Sequence, residues 1–294
     1  MGTFRKASRA NAKLRVALLG GHDSGKTLSA LRMARGLVGP EASIGIVETE
    51  AAGDQATRSE FYADRYDFAT SPIAPPFRPE TGIQRIEEAG RAGIAALIID
   101  SLSDFWVGVG GLLADAKGSK QRSFFNGDGK ERQTRLMDAI ARYPGHVFAT
   151  IRLGERYVVE DGERGGAPSS RRVTLSPAQS ADFGYWFNAI FEIGEDHRAR
   201  MVNGKVPIFR IGQAFQIGEE HGQQLAAWLA GGASEYVPRG DVGTALMSLQ
   251  HVGLSEAEAK AALPGFPDHV TPQALQAARD LYAQRNKARK QASA

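Results

Sequence analysis

The chain of 294 residues contains no cysteine, no long hydrophobic run and little excess charge of either sign. Without cysteine it can form neither disulfide bonds nor thiolate metal sites, and a cysteine nucleophile is excluded. The charged N-terminus is followed by no apolar segment typical of a signal peptide, and the longest apolar stretches are strand-length. We therefore expect no membrane partner and a cytoplasmic location. The net charge of +3 at pH 7 permits a nucleic-acid partner without requiring one.

Short apolar runs alternate with helical patterns through the first half of the chain. The predicted strands are residues 14–19, 43–47, 95–99 and 146–151, and the predicted helices are 28–37, 79–92 and 131–142. This alternation predicts an α/β fold with a mainly parallel sheet covered on both faces. Paired apolar runs then predict an antiparallel hairpin extension of the sheet, at residues 156–159, 171–175, 189–193, 200–202 and 206–211.

The last part of the chain predicts a separate helical module. Residues 241–250 have helical spacing, and Ser255 with Glu258 forms a capping-box pattern that opens a short helix ending before Pro264. Thr271 and Pro272 supply the N-cap and first position of a final helix with a basic end. We therefore expect a core of residues 1–236 and a helical module of residues 237–294.

Residues 20–27 read G-G-H-D-S-G-K-T, which matches the P-loop pattern G-x-x-x-x-G-K-[ST] between a predicted strand and a predicted helix. In that context backbone N–H groups and the positive end of a helix point at phosphate, which predicts binding of a nucleoside triphosphate. Lys26 would reach the β- and γ-phosphates, and the Thr27 hydroxyl would complete the shell of a Mg²⁺ ion. The Asp23 carboxylate would repel phosphate unless it points outward. The predicted nucleotide-binding residues are Gly20, Gly21, His22, Asp23, Ser24, Gly25, Lys26, Thr27 and Leu28.

Acidic residues follow two later strands. Asp100 ends the run A-A-L-I-I-D, where it would hold Mg²⁺ through water, or else cap a turn. Glu48 and Glu50 follow the second strand. A carboxylate there would deprotonate the attacking water, a general-base role worth roughly two to four orders of magnitude in rate. The alternative for this pair is a solvated acidic loop.

The order of these motifs resembles the RecA-like branch of P-loop ATPases: I-V-E-T-E-A-A-G-D comes soon after the P-loop helix, and L-I-I-D-S-L follows. More narrowly, the chain is similar to short RecA-like ATPases of bacteriophages, some of which act in single-strand annealing or recombination. The resemblance covers about residues 13–229, and its further details are F-Y-A-D-R-Y at 61–66, D-S-L-S-D-F-W at 100–106 and T-I-R at 150–152.

The resemblance implies roles for single residues. Glu50 takes the position of the catalytic glutamate, and Lys26 and Asp100 complete the catalytic set, with Thr27 and Asp100 at the metal. Because no glutamine ends the fourth strand, Thr150 or Arg152 would serve as the γ-phosphate sensor. Basic residues on a later hairpin, Arg198 or Arg200, would reach the neighbouring subunit's γ-phosphate in a homo-oligomeric ring or filament.

Two segments predict contact with single-stranded DNA. Residues 117–130 mix basic and aromatic side chains, which neutralise phosphates and stack on bases, and residues 162–172 lie where RecA-like proteins carry a DNA-contacting loop. Each segment could instead be a solvated hairpin or a subunit contact. The candidate DNA contacts are Lys120, Arg122, Phe124, Phe125, Arg164, Arg171 and Arg172.

Taken together, the sequence predicts a RecA-like ATPase that uses ATP and Mg²⁺ to act on DNA, most simply single-stranded, in phage or bacterial recombination. One alternative is a packaging or helicase-type motor. Another is a nucleotide-gated assembly protein that binds ATP but barely hydrolyses it. Glu50 separates these alternatives, because a motor needs the general base and a switch does not.

Overall fold

The computed structural model describes residues 9, 12–50, 58–116, 127–160, 170–231, 239–264, 266, 270 and 272–292. The chain divides into two compact units, Met1–Ala226 and Ala227–Ala294. The division falls somewhat before the expected boundary at residues 236/237.

The first unit is built on a mostly parallel mixed sheet. Its strands are β1 (Arg15–Gly20), β2 (Ile44–Glu48), β3 (Ala69–Pro72), β4 (Ala96–Asp100), β5 (His146–Glu160), β6 (Ser170–Pro177), β7 (Ala189–Ile193), β8 (Ala199–Gly204) and β9 (Ala214–Phe215). Their order is β3-β2-β4-β5-β1-β7-β8-β9, with β6 paired to β5 alone. The first six strands of this order are mutually parallel, whereas β6, β8 and β9 pair antiparallel.

Helices connect and cover these strands. They are α1 (Lys26–Val38), α2 (Pro79–Arg91), α3 (Asp104–Val107), α4 (Leu112–Ala116), α5 (Asp128–Arg142) and α6 (Glu219–Leu229), with 3-10 turns at Arg58–Tyr62 and Phe183–Trp186. The second unit contains α7 (Arg239–His251), α8 (Glu256–Ala261) and α9 (Pro272–Ala292). Among the described residues, no helix combines the length and apolarity needed to cross a bilayer.

The central strands are buried on both faces, as their nearly continuous apolar sequences predict. Alternate side chains such as Leu19 and Ile99 join one core with Ile86 of α2 and Leu136 of α5. The intervening side chains, such as the fully buried Leu18, face the side on which α1 contacts β1, β4 and β5. The predicted α/β class with a mainly parallel sheet is thus confirmed.

Two glycines let α1 and α6 approach each other at backbone distance. A Cβ atom added to Gly36 would lie 1.9 Å from the Glu219 carbonyl oxygen, and one added to Gly222 would lie 2.2 Å from that of Met33. Any side chain at either position would therefore force the helices apart. This contact fixes α1, which carries the glycine-rich loop at its N-terminus.

Most predicted elements are present within three residues, but residues 146–151 and 156–159, predicted as two strands, belong to the single strand β5, and the predicted strand 206–211 is wrong. Residues 206–211 form a turn with a single bridge between Met201 and Ile211, and the last strand of the sheet is β9. Phe209 from this turn stacks on Phe215 and contacts Phe191 edge to face, so its apolar character serves a buried loop. Val206 and Phe209 are buried, whereas Ile211 at the end of the turn is exposed.

The helical module matches its local sequence signals. The Ser255 hydroxyl accepts a hydrogen bond from the Glu258 backbone N–H, and the Glu258 carboxylate accepts one from the Ser255 N–H at 2.8 Å, so the predicted capping box is confirmed. The helix that it opens, α8, ends before Pro264, and α9 begins at Pro272 as predicted. The module has its own apolar core, which includes Leu249 and Leu263.

Candidate functional site

The loop of residues 20–27 connects β1 to α1, and its backbone is sharply folded. Asp23 and Gly25 both have left-handed conformations, with φ of 53° and 89°. A Cβ atom added to Gly20 would lie 2.2 Å from the Ser24 hydroxyl oxygen, so this position excludes a side chain. Ser24 in turn donates to the Gly21 carbonyl at 3.1 Å. Successive backbone N–H groups in such a fold form a concave anion-binding surface.

The first turn of α1 leaves its backbone N–H groups available to a ligand. Gly25 occupies the N-cap position, where it has no side chain to satisfy them, and the turn contains no acidic residue. The positive end of the helix dipole is therefore neutralised by no side chain of that turn. An anion such as phosphate fits this helix end.

Lys26 and Thr27 stand at the start of α1, beside the end of β4. The Lys26 ammonium donates to the Gly21 carbonyl oxygen at 2.5 Å. Burial lowers the pKa of Lys26 below its ordinary value, and the Asp100 and Glu50 carboxylates offset part of that effect. The Thr27 hydroxyl donates to Asp100 Oδ2 at 2.5 Å. A cation and a hydroxyl–carboxylate pair thus lie beside the open end of the helix.

Asp100 is the last residue of β4 and is almost fully buried. Because β5 lies between β1 and β4 in the sheet, Thr150 of β5 is placed between the two strands that carry the site. Its hydroxyl donates to Asp100 Oδ1, while Thr27 donates to Oδ2. Both oxygens of Asp100 are thereby oriented. Thr150 itself is fully buried and does not line the pocket.

The two glutamates after β2 have different environments. Glu48 is completely buried, and its carboxylate accepts hydrogen bonds from the Ser59 hydroxyl and, at 3.2 Å, from the Ser59 backbone N–H. Glu50 is 20% exposed and lines the pocket, with one carboxylate oxygen 3.8 Å from a guanidinium nitrogen of Arg152. Of the two, only Glu50 is placed to meet a ligand.

Arg152 links the pocket to the segment that follows β4. Its guanidinium donates to the Asp104 carboxylate, which also accepts a hydrogen bond from the Thr49 hydroxyl at 2.7 Å. Its backbone N–H donates to the Ser103 hydroxyl at 2.9 Å. Of the two predicted sensor residues, Arg152 lies in the pocket, and Thr150 orients Asp100 instead.

These elements enclose a pocket of about 450 Å³. It is lined by His22, Asp23, Gly25, Lys26, Thr27, Glu50, Tyr62, Asp100, Arg152 and Leu153. Gly20, Gly21, Ser24 and Leu28 of the predicted set build the loop without lining the pocket. His22 and Asp23 pair with each other at 3.0 Å, and both side chains are largely exposed, so the Asp23 carboxylate points outward.

The donor set fits Mg²⁺ held together with a phosphate ligand. Within the described residues no group of three or more His, Asp or Glu side chains converges as a metal site of its own. Magnesium keeps several waters and takes one or two protein oxygens plus substrate phosphates, so it needs no such cage. The Thr27 hydroxyl and the Asp100 carboxylate, 2.5 Å apart beside the helix end, are hard oxygen ligands of this kind.

Some residues of the site could not be identified from the sequence. Tyr62 lines the pocket from the 3-10 turn, and Asp104 reaches Arg152 from the start of α3. His197, on the turn between β7 and β8, lies 3.2 Å from the Ser24 carbonyl oxygen through Nδ1. Tyr62 and Asp104 fall inside the segments 61–66 and 100–106, and His197 precedes the basic residues of the later hairpin, but no local pattern assigns any of the three to this pocket.

The predicted inter-subunit and DNA contacts are only partly described. Arg198 is exposed and donates to the Ala214 carbonyl at 3.0 Å, and Arg200 is exposed on β8 opposite Glu192. Arg171 and Arg172 lie on β6, where they pair with Val159 and Val158 of β5. The remaining candidates lie outside the described residues: Lys120, Arg122, Phe124, Phe125 and Arg164.

A scan against protein-family models gives no match for this chain, and a search of curated proteins finds none.

Proposed function

We propose that this protein binds ATP with Mg²⁺ at the loop of residues 20–27 and hydrolyses it, as a RecA-like ATPase. The observation that carries the proposal is that Lys26, Thr27, Glu50 and Asp100 line one pocket of about 450 Å³, although they come from three strand ends. That volume lies within the roughly 300–1,000 Å³ common for small-molecule sites. The mostly parallel sheet is compatible with such a core and brings these ends to one edge.

Different residues of the pocket are assigned to the phosphates and to Mg²⁺. The free N–H groups at the start of α1 and the Lys26 ammonium are assigned to the β- and γ-phosphates. Thr27 and Asp100 would hold Mg²⁺, which when bound supplies charge neutralisation at the phosphate oxygens. Thr150 acts behind them, because its hydrogen bond fixes the orientation of the Asp100 carboxylate.

Glu50 is assigned as the general base. It would orient a water molecule and accept its proton as the water oxygen attacks the γ-phosphorus and the bond to the β–γ bridging oxygen breaks. The ADP oxygen takes the electron pair of the broken bond. Arg152, 3.8 Å from Glu50, is the residue of the pocket that could contact the γ-phosphate as a sensor.

We further propose that the protein acts on single-stranded DNA as a homo-oligomer, in the cytoplasm where ATP is available. Support comes from the antiparallel β5–β6 extension, which carries Arg171 and Arg172 beyond the parallel part of the sheet. Exposed arginines on the β7–β8 hairpin, Arg198 and Arg200, support a role toward a neighbouring subunit. Both assignments follow from the RecA-like resemblance.

Lys26→Ala tests the nucleotide site. This change should abolish ATP hydrolysis and most nucleotide affinity measured by calorimetry, while the circular dichroism spectrum stays that of the wild type. Lys205→Ala removes an exposed ammonium outside the pocket and should leave both quantities unchanged. Unchanged ATP affinity in Lys26→Ala would overturn the site assignment.

A salt titration tests the DNA assignment. Each neutralised phosphate of a single strand contributes about −0.7 to the slope of log affinity against log salt concentration. Replacing Arg171 and Arg172 by alanine should therefore reduce the slope by the equivalent of one to two contacts. If the wild type binds ATP but ignores single-stranded DNA at low salt with ATP and Mg²⁺ present, the recombination assignment fails and the assembly-protein alternative is preferred.

Oligomerisation has its own test. Light scattering with a non-hydrolysable ATP analogue should show a ring or filament, because RecA-like sites are completed by a neighbouring subunit. Arg198→Ala or Arg200→Ala should then lower turnover without lowering ATP affinity. Full ATPase activity in a strict monomer at micromolar concentration would exclude the inter-subunit role.

A further inference from the structure

A second pocket lies in the first unit and shares no lining residue with the nucleotide pocket. Its volume is about 270 Å³, and its lining includes two tryptophans, Trp106 in α3 and Trp186 at the end of the 3-10 turn 183–186. Polar groups from α5 and from the segment after β6 complete the lining. We call this site the tryptophan pocket. Its size is below the roughly 300–1,000 Å³ of most small-molecule sites, so it suits a single ring system.

The aromatic walls are held rather than loosely exposed. Trp186 is half-buried and packs against the apolar core of the unit, and Trp106 is half-buried as well. A tryptophan ring supported in this way offers a large, flat face at little entropic cost. A flat heterocycle is the ligand that such faces bind best, because stacking is strongest between parallel rings.

The polar groups around the rings match the edge of a nucleobase. Both N–H bonds of the buried Gln133 amide are directed within the protein, to Gln179 at 3.1 Å and to Ser180 at 3.2 Å. Its carbonyl oxygen has no partner among the residues that the structure describes, which leaves it as an acceptor. The Asp182 carboxylate is a second acceptor, likewise without a partner in that part of the chain. Nucleobase edges carry N–H donors that such oxygens accept.

A positive charge stands beside the aromatic faces. Lys130, in the first turn of α5, is exposed and lines the same pocket, and it has no partner among the described residues. The Lys130 ammonium can pair with a phosphate attached to a ring, while the Asp182 carboxylate of the same pocket can accept N–H groups of that ring. Lys130 is also the last residue of the basic and aromatic stretch 117–130.

We propose that the tryptophan pocket binds one unstacked nucleobase of a single-stranded nucleic acid, with Trp106 and Trp186 as the stacking surfaces and Lys130 beside the backbone phosphate. The proposal deepens the proposed action on single strands and rests on it for the source of the base. Stacking on an aromatic side chain contributes roughly 1–3 kcal/mol per base and is tolerant of sequence. The pocket would therefore hold one base of a strand whose backbone phosphates are bound by basic side chains elsewhere.

Tryptophan fluorescence provides the test, because the chain contains three tryptophans and two line the pocket. The probe is a thymidine oligonucleotide titrated into the Lys26→Ala protein, so that a signal from the nucleotide pocket is removed. We expect quenching on binding, and affinity losses of about 5- to 150-fold for Trp106→Ala and for Trp186→Ala, the fold-change that corresponds to the loss of one stacked base. Trp228→Phe, a change in α6 outside the pocket, should keep the wild-type affinity and quenching.

Two further arms separate the possible failures. Lys130→Ala leaves the rings and the fold in place and should reduce the salt slope by about 0.7, the share of one phosphate contact. Free thymidine monophosphate should quench only at far higher concentration than the oligonucleotide, and equal potency would assign the pocket to a free nucleotide instead. Wild-type oligonucleotide affinity in both tryptophan variants and in Lys130→Ala overturns the proposal. ATP hydrolysis is measured separately on the wild-type protein. That measurement reports on the nucleotide site whether or not the tryptophan pocket binds the oligonucleotide.

Discussion

The parallel part of the sheet carries polar side chains at both of its edges, and the two edges differ in what those side chains bind. At the amino end, Arg15 and His146 direct their hydrogen bonds to backbone groups within the protein. At the carboxyl end, Thr150 and Arg152 bind carboxylates that surround an open pocket. The comparison separates polar groups that hold the fold from polar groups that can meet a ligand.

The amino end is a closed network. Arg15 is 6% exposed and donates to five backbone carbonyls, three of which belong to the last turn of α5 and the residue after it. Carbonyls of the last helical turn lack the usual N–H four residues on, and the Ile140 carbonyl also accepts a hydrogen bond of 3.4 Å from the Tyr143 N–H. Burial lowers the pKa of Arg15 to about 10, so the guanidinium remains charged at neutral pH. His146 accepts a hydrogen bond from the Leu14 N–H at 3.0 Å.

Burial of a polar residue is therefore weak evidence for function in this protein. Arg15 and Asp100 are about equally buried, and of the two it is Asp100 that lines the pocket formed by the described residues. If the comparison is right, changes at the amino end should alter the free energy of unfolding and leave ligand binding intact. Changes at the carboxyl end should alter binding or turnover first. Four experiments test this division, and they are given in order of decreasing expected effect.

Glu50→Gln should produce the largest effect, and it should be on turnover alone. Loss of a general base lowers the rate by roughly two to four orders of magnitude, while ATP affinity is kept. The measurement is single-turnover hydrolysis alongside calorimetric ATP binding. Glu48→Gln is the matched control, since Glu48 is sealed behind Ser59 and should affect stability instead. A larger rate loss in Glu48→Gln than in Glu50→Gln would assign the general base to Glu48 and a structural role to Glu50.

Arg15→Met should lower the free energy of unfolding by at least ~3 kcal/mol, because a buried acceptor left without a donor costs roughly 1–3 kcal/mol and several are affected. Urea denaturation measures the change. Arg15→Lys keeps the charge but has fewer hydrogen-bond donors, so its free energy of unfolding should lie between those of the wild type and of Arg15→Met. The ATP affinity of the folded variant should equal that of the wild type. A clear loss of affinity would contradict the assignment of the amino edge to the fold alone.

His146 makes the amino end sensitive to acid. Burial, reinforced by the charges of Lys13 and Arg15, lowers the pKa of His146 to about 4. The unfolded chain takes up this proton near pH 6.5 and the folded chain only near pH 4, so stability should fall as the pH drops through that window. The loss amounts to about 3 kcal/mol, at 1.36 kcal/mol for each pK unit.

Denaturation at pH 7 and pH 4.5 measures this loss. His146→Asn keeps an acceptor for the Leu14 N–H but has no titratable ring, so its stability should depend less on pH. An equal pH dependence in wild type and variant would show that carboxylates, not His146, determine the acid sensitivity.

Thr150→Val should have the smallest effect. It tests whether a fully buried residue at the carboxyl edge affects ligand binding, because Thr150 donates a hydrogen bond to Asp100. Removing the hydroxyl frees one oxygen of Asp100 to change orientation. We expect the Mg²⁺ concentration for half-maximal turnover to rise about tenfold, the lower limit for residues that orient metal ligands. Thr150→Ser, which retains the hydroxyl, should behave as the wild type. A variant altered only in stability would place Thr150 with the structural group.

Local sequence patterns predicted many of the elements of this protein. The strands around the sheet, the loop of residues 20–27 and the terminal aspartate of β4 follow from apolar runs ended by particular residues, because strand periodicity and helix capping depend on neighbours in sequence. The capping box at Ser255 was readable for the same reason. Residues 206–211 were not, because a buried aromatic loop and a strand share the same apolar pattern.

The sequence by itself thus determined the class of fold and the candidate residues Lys26, Thr27 and Asp100. The resemblance already favoured Glu50 over Glu48, and the tertiary structure added that Glu48 is hydrogen-bonded to Ser59, eleven residues on, while Glu50 lines the pocket. Only the tertiary structure decided that Thr150 orients Asp100, because β5 is inserted between β1 and β4. Contacts of this kind depend on which strands become neighbours, and that order is set by packing of the whole sheet rather than by any local pattern.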